Sequence, residues 1–101
     1  MKQEYNVTDN KVKISLAGSM YVEDAAVFRE RLMDYANKGH KLFHIDMSGV
    51  DYIDSSGLGV LVSLHKMALQ KGGELALYGL RGVVKELFEL TRLIRVFDIR
   101  Q

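Results

Sequence analysis

Segments with the two-residue period of a β-strand alternate along this chain with segments that have the period of an α-helix, and this alternation constrains the fold more than any other feature. Within residues 12–16, apolar side chains alternate with polar ones, as in a strand with one face in water. The dipeptide Asp9-Asn10 before this strand is a turn signal. We therefore expect residues 4–8 to pair with the strand as a hairpin.

The rest of the chain continues the alternation. The predicted elements are a helix over Val22–Lys38 that ends before Gly39, a strand over Leu42–Met47, a turn over Ser48–Asp51, a helix over Ser56–Lys71, a strand over Glu74–Tyr78, a helix over Val83–Leu90, and a terminal strand or tail over Val96–Ile99. Strands that alternate with helices are typical of parallel sheets covered by helices. The chain is therefore predicted to be an α/β sandwich whose sheet is parallel in its later half.

Length and composition favour one globular domain. The chain has 101 residues, of which 48% are hydrophobic and 27% charged, close to the average for globular proteins. Its net charge of +1 creates no overall field that would attract nucleic acid or an acidic membrane. We therefore expect neither nucleic acid nor a membrane as a partner.

The residue types and segments that the chain lacks restrict its possible chemistry and cellular location. Because the chain has no cysteine, disulfides, thiolate metal sites and a catalytic thiol are excluded. Residues 1–6 lack the apolar stretch of a signal peptide, and no run approaches the roughly 18 apolar residues of a membrane helix. We expect an unprocessed chain in the cytoplasm.

The segment from Asp51 to Gly59 carries the most potential chemistry, because it puts two hydroxyls and two carboxylates where a strand leads into a helix. One interpretation is helix capping, since Ser and Asp side chains satisfy the free N–H groups of a first turn. In this interpretation we expect Ser55 to be the N-cap. The other interpretation is phosphorylation of Ser55, because a helix N-terminus can accommodate the added charge of about −1.5 to −2. One serine can serve both purposes.

The same segment does not support an enzyme. A nucleophile elbow requires glycine two positions before and two positions after its serine. The position two before Ser55 holds Ile53, and the position two before Ser56 holds Asp54. A dinucleotide-binding fingerprint that started with Gly57-Leu58-Gly59 would need a third glycine at position 62, which is valine. We therefore predict no catalytic residues.

The three histidines do not suggest a metal site or a triad. His40 and His44 are four residues apart, but they straddle a turn and a strand, where this spacing does not bring ligands together. His65 falls within the apolar arc of the second helix, so we expect it to be a partly buried packing residue. We expect no bound metal and no cofactor.

The second helix is apolar over a wider arc than one core contact requires. Its polar positions, Gly59, Ser63, Lys66 and Gln70, form a narrow stripe. Two interpretations remain open: the helix is sandwiched between the sheet and its neighbours, or its excess apolar surface meets a partner.

Two adjoining motifs carry a family resemblance. Residues 45–50, Ile-Asp-Met-Ser-Gly-Val, and residues 52–61, Tyr-Ile-Asp-Ser-Ser-Gly-Leu-Gly-Val-Leu, resemble the signature of bacterial anti-sigma factor antagonists. Downstream, Gly72-Gly73-Glu74-Leu75 and Leu90-Thr91-Arg92-Leu93 continue the pattern. The resemblance spans nearly the whole chain. It implies a single STAS domain over residues 1–101, with a mixed, mostly parallel sheet of about four to five strands covered by helices.

The resemblance also implies a function. Ser55 would be phosphorylated by a partner that is both an anti-sigma factor and a serine kinase, and a separate serine phosphatase would reverse the modification. The unphosphorylated chain would bind the kinase and release the sigma factor, so it would regulate transcription without being an enzyme. The matching motif residues, expected to shape the site or contact the partner, are Asp54, Ser56, Gly57, Leu58 and Gly59.

Other functions stay open at this point. The motif does not separate an anti-sigma factor antagonist from a STAS module of another signalling assembly, such as one that senses stress or controls secretion or motility. A module that binds a small ligand, either a nucleotide or a lipid, and an unrecognised hydrolase are the remaining alternatives.

Overall fold

The computed structural model describes the whole chain, Met1–Gln101, as alternating strands and helices. The elements are β1 (Lys2–Thr8), β2 (Lys11–Met20), α1 (Val22–Asn37), β3 (Leu42–Ile53), α2 (Ser55–Gln70), β4 (Glu74–Tyr78), α3 (Gly82–Leu90), a short 3₁₀ helix (Leu93–Arg95) and β5 (Asp98–Arg100). The predicted alternation is confirmed, and the terminal segment does form a fifth strand, although a later and shorter one than predicted. None of the helices has the length and apolarity needed to cross a membrane.

The five strands form one mixed sheet in the order β1-β2-β3-β4-β5. The predicted hairpin is present, because β1 pairs antiparallel with β2 through the turn at Asp9-Asn10. The other neighbours, β2 with β3, β3 with β4 and β4 with β5, are all parallel. Each of the first two parallel pairs is joined by one helix, so α1 and α2 both run back against the strand direction.

The core lies on one face of this sheet. Alternate residues of the central strands, such as Ile14, Ile45 and Leu77, are fully buried in one apolar cluster. All three helices contribute to the same cluster, for example through Phe28 of α1 and Phe88 of α3. The helices therefore cover one face. The intervening residues of β2 and β3 are mostly polar and exposed, so they form a second face toward water.

The segment Ser48–Asp51 is not the turn that its composition predicted, because β3 continues through it to Ile53. The pairing with β2 is irregular at two points, between Ser15 and Ala17 and between Gly18 and Ser19, and β3 has one extra residue at each point. Each extra residue forms a β-bulge, and the first lies between Asp46 and Gly49. Asp46 supports this bulge by accepting hydrogen bonds from the Ser48 N–H at 2.9 Å and the Ser48 hydroxyl at 2.7 Å.

The wide apolar arc of α2 is explained by its surroundings. The helix packs against the sheet and against α1, and it buries Val60, Leu61, Leu64 and Ala68. Leu58, Val62 and Met67 are half-buried against the same cluster. The sandwiched interpretation is therefore confirmed for most of the arc.

Candidate functional site

The candidate site lies at the edge of the sheet where the parallel strands end and the helices begin. Only Asp54 separates the last residue of β3 from the first residue of α2. The Asp54 N–H donates to the Met20 carbonyl at 3.1 Å, which fixes this junction against the end of β2. The start of α1 lies at the same edge, because α1 follows β2 after one residue, Tyr21.

Asp54, and not Ser55, is the N-cap of α2, so the predicted capping role of Ser55 is wrong. The Asp54 backbone is extended, and its Oδ1 atom accepts hydrogen bonds from the Ser56 N–H at 3.0 Å and the Gly57 N–H at 3.2 Å. Aspartate caps helices as well as serine does, so composition alone could not choose between these neighbours. Ser55 is the first helical residue instead, and its side chain is exposed.

The remaining motif residues divide into supporting and surface positions. Gly57 is buried, and a Cβ atom there would lie 2.6 Å from the Ile53 side chain and 2.7 Å from the Met20 sulfur. Leu58 packs against the core. Gly59 is exposed, and a Cβ atom there would meet nothing within 4 Å. Ser56 is half-buried and holds the cap through its N–H.

Two tyrosines that the sequence did not single out lie beside this junction. The rings of Tyr21 and Tyr52 are in contact, with 5.7 Å between their centres, and they are 53% and 37% exposed. They meet because Ser19 of β2 pairs with Tyr52 of β3, one residue before each strand ends. This register depends on the bulges in β3, so no local sequence signal predicted the pair.

The charge around Ser55 is mainly acidic. Asp54 caps α2 directly before Ser55, and Asp51 lies three residues before Asp54 on β3. Asp51 is 3.6 Å from the guanidinium of Arg81, and the Arg81 Nε also donates to the Ser48 carbonyl. This ion pair is exposed, so its contribution to stability is small. A negative group added at Ser55 would therefore join an edge that already carries carboxylates.

The histidines make separate contacts away from Ser55. His44 lies on the open face of the sheet, with its Nε2 2.6 Å from Glu74 and its Nδ1 2.9 Å from the Tyr78 hydroxyl. His40 packs edge-on against an aromatic ring of α1. His65 is 9% exposed and packs against Phe97, which confirms the packing role predicted for it.

Comparison with known proteins identifies the family. The STAS domain model matches residues 2–101. The anti-sigma-B factor antagonist of Bacillus subtilis is 38% identical over 91 residues, which cover 90% of this chain and 83% of that protein. The anti-sigma-B factor antagonist of Listeria monocytogenes is 36% identical over 89 residues, which cover 88% and 78% of the two chains. A crystal structure of a Thermotoga maritima protein superposes with a TM-score of 0.91 at 30% identity, over 98% of this chain and 86% of that one. The chain therefore belongs to the STAS domain family that its motifs predicted.

Proposed function

We propose that this chain is an anti-sigma factor antagonist whose binding to an anti-sigma factor is switched off when that partner, acting as a serine kinase, phosphorylates Ser55. The observation that carries the proposal is the position of Ser55: it is exposed in the first turn of α2, next to a cap that is complete without it. A serine phosphatase would reverse the modification. The chain and its partners would meet in the cytoplasm.

The cap geometry makes Ser55 a suitable acceptor of phosphate. Asp54 satisfies two N–H groups of the first turn, so the Ser55 hydroxyl contributes neither of these hydrogen bonds to the fold. A kinase can therefore modify the hydroxyl without removing an interaction that holds α2. Ser56 is a poorer acceptor, because it is half-buried under the same cap.

The same geometry explains how a phosphate would block binding. The group adds about −1.5 to −2 charges. Two N–H groups of the first turn already bond to Asp54, so they are not free to neutralise the phosphate. The phosphate would remain at the surface, beside the Asp54 carboxylate. A partner that covered this surface would bury an uncompensated charge, which is strongly unfavourable.

The other motif residues have supporting roles in this proposal. Asp54 and Gly57 fix the angle at which α2 leaves the sheet, because one caps the helix and the other lets it approach Ile53 closely. Leu58 anchors the first turn in the core. Ser56 and Gly59 flank Ser55 and would border the contact with the partner.

The relatives support the class of partner. The proteins of Bacillus subtilis and Listeria monocytogenes that match this chain are both named anti-sigma-B factor antagonists. Each match extends over most of both chains, so the likeness is not restricted to the Ser55 motif. We infer that residues 1–101 act as one domain in the same kind of role.

Phosphorylation of the purified chain tests the proposal. The chain is incubated with ATP and a lysate of its native cells, and the kinase responsible is then purified by following phosphate incorporation. We expect phosphate on Ser55 and no incorporation when the kinase is left out. We expect no incorporation in Ser55→Ala and normal incorporation in the control Ser56→Ala. Phosphate on Ser56 alone would refute the assignment of the acceptor. No incorporation into the folded chain would refute the switch.

A further inference from the structure

An apolar groove runs between α1 and α2 on the helical side of the molecule. Both helices lead back from the edge where Ser55 lies, and they pack side by side. The groove has a volume of about 210 Å³ and is lined by five apolar residues, Leu32, Met33, Val60, Leu64 and Met67, and by two polar ones, Arg29 and Ser63. This volume is sufficient for a large apolar side chain from another molecule.

The groove is continuous with the surface around Ser55. Ser55, Gly59 and Ser63 follow one another at intervals of four residues on α2, and all three are exposed. Ser63 borders the groove, and eight residues of helix separate it from Ser55, a distance of roughly 12 Å. A partner that covers the Ser55 hydroxyl therefore needs only a short extension along α2 to reach the groove.

Gly59 lies between the two and has no role in the fold that would require glycine. Its backbone does not have a positive φ, and a Cβ atom would meet nothing within 4 Å. Glycine inside a helix weakens the helix relative to alanine. The missing side chain does leave room for a second backbone to approach α2 closely, as in tightly packed helix pairs. A partner helix that lies over Gly59 could occupy this space.

Arg29 and Met33 on α1 indicate the chemistry of that partner. Met33 is 40% exposed although it is apolar, and methionine adapts its shape to different partners. Arg29 is exposed, is the only charged residue in the lining of the groove and forms no ion pair with another residue of the chain. A carboxylate on the incoming partner would pair with it.

We infer that this groove docks an amphipathic helix of the kinase partner, with one large apolar residue that enters the groove and a carboxylate that pairs with Arg29. Docking of an apolar helix face into a groove is a common mode of peptide recognition. The inference rests on the proposed function, since the occupant is the protein that modifies Ser55. Contacts at the groove would then select the partner, while phosphorylation of Ser55 would control its release.

Binding measurements with matched variants test the inference, and the probe is the purified kinase that modifies Ser55. Met33→Lys and Arg29→Glu are expected to weaken binding by about tenfold or more each, as at interface anchor positions. The control is Val27→Lys, because Val27 is on the same helix and 53% exposed but lies against the N-terminal residues, away from the groove. It is expected to change affinity by less than about twofold. Melting curves of each variant establish that it is folded.

The outcomes separate this inference from the proposed function. If Ser55→Asp weakens binding but Met33→Lys and Arg29→Glu bind like Val27→Lys, the groove is not the docking site and the switch stands. If Ser55→Asp has no effect, the switch fails whatever the groove variants do. Sedimentation of the chain alone provides a third result: a dimer that Met33→Lys dissociates would assign the groove to a second copy and overturn the kinase as its occupant.

Discussion

Gly57 and Gly59 stand two residues apart on α2, and the structure predicts opposite effects of replacing each with alanine. At Gly57 the new Cβ atom would lie 2.6 Å and 2.9 Å from two carbon atoms of Ile53 and 2.7 Å from the sulfur of Met20. Both neighbours are fully buried, so neither can move into solvent. At Gly59 the same atom would meet nothing within 4 Å.

The magnitudes follow from two competing effects. Forcing an extra methyl group into a packed core typically costs about 1–3 kcal/mol. Alanine in a helix is favoured over glycine by roughly 0.5–1 kcal/mol. For Gly57→Ala we expect the first effect to exceed the second, which leaves a net loss of about 1–2 kcal/mol. For Gly59→Ala only the second effect operates, so we expect a gain of about 0.5–1 kcal/mol.

Urea unfolding of the two variants and the wild type measures these free energies, and each variant is the matched control for the other. For a domain of this size, 1 kcal/mol also corresponds to a melting shift of roughly 4–8 °C. We expect Gly57→Ala to melt below the wild type and Gly59→Ala above it. Equal shifts of the same sign would refute the packing argument at Gly57. Loss of stability in Gly59→Ala would show that Gly59 has a structural role that the geometry does not reveal.

Three further predictions concern the cap of α2, the charge at Ser55 and the tyrosine Tyr5 of β1. Asp54→Ala is expected to lower the free energy of unfolding by about 1–2 kcal/mol in urea, and Ser55→Ala by less than about 0.5 kcal/mol, because only Asp54 caps α2; a larger loss in Ser55→Ala would contradict this assignment. Ser55→Asp should bind the kinase more weakly than Ser55→Ala but more strongly than the phosphorylated chain, since aspartate carries one charge and phosphate about −1.5 to −2; equal affinities of the two variants in calorimetry would refute the charge mechanism. Burial raises the pKa of the Tyr5 hydroxyl above its usual value, against the opposing effect of the Arg31 guanidinium. The neutral Tyr5 hydroxyl stabilises the folded chain fully at pH values below the unfolded pKa of about 10, and this stabilisation is lost as the pH rises above 10. The free energy of unfolding should therefore fall less steeply with alkaline pH in Tyr5→Phe than in the wild type. Identical alkaline unfolding curves of the two proteins would contradict this prediction.

The order of helices and strands was predictable because each element leaves a local pattern. Apolar residues at every second position mark β2, and helical spacing marks α1 and α2, so the hairpin and the parallel units followed from the sequence. The bulged part of β3 did not follow, because Ser48, Gly49 and Asp51 are residues that turns and bulges share. Only the pairing with β2 distinguishes the two.

The candidate site was predictable in position but not in detail. The segment that contains Ser55 is a strand-to-helix junction, as its residues indicated. The residue types predict the N-cap at Ser55 instead of its neighbour Asp54, because the two have similar capping preferences and the choice depends on backbone angles. The Tyr21 and Tyr52 pair depends on strand register, and the groove depends on how two helices pack. Neither arrangement leaves a signal in a single segment.

Phosphate on Ser55 is expected to block binding through surface charge and to leave the domain folded. An anion at a helix N-terminus gains about 0.3–1 kcal/mol from the helix dipole, and repulsion from Asp51 and Asp54 offsets part of that gain. The net change in the free energy of unfolding should stay within about 1 kcal/mol.

Melting temperatures and near-ultraviolet circular dichroism spectra of the stoichiometrically phosphorylated chain and of the unmodified chain test whether the domain stays folded. If surface charge alone blocks binding, the two melting temperatures should lie within roughly 4–8 °C of each other and the near-ultraviolet spectrum should be unchanged, in a sample that no longer binds the kinase. A phosphorylated chain that melts more than about 10 °C lower, or that loses its near-ultraviolet signal, would mean that the switch acts by local unfolding and not by surface charge.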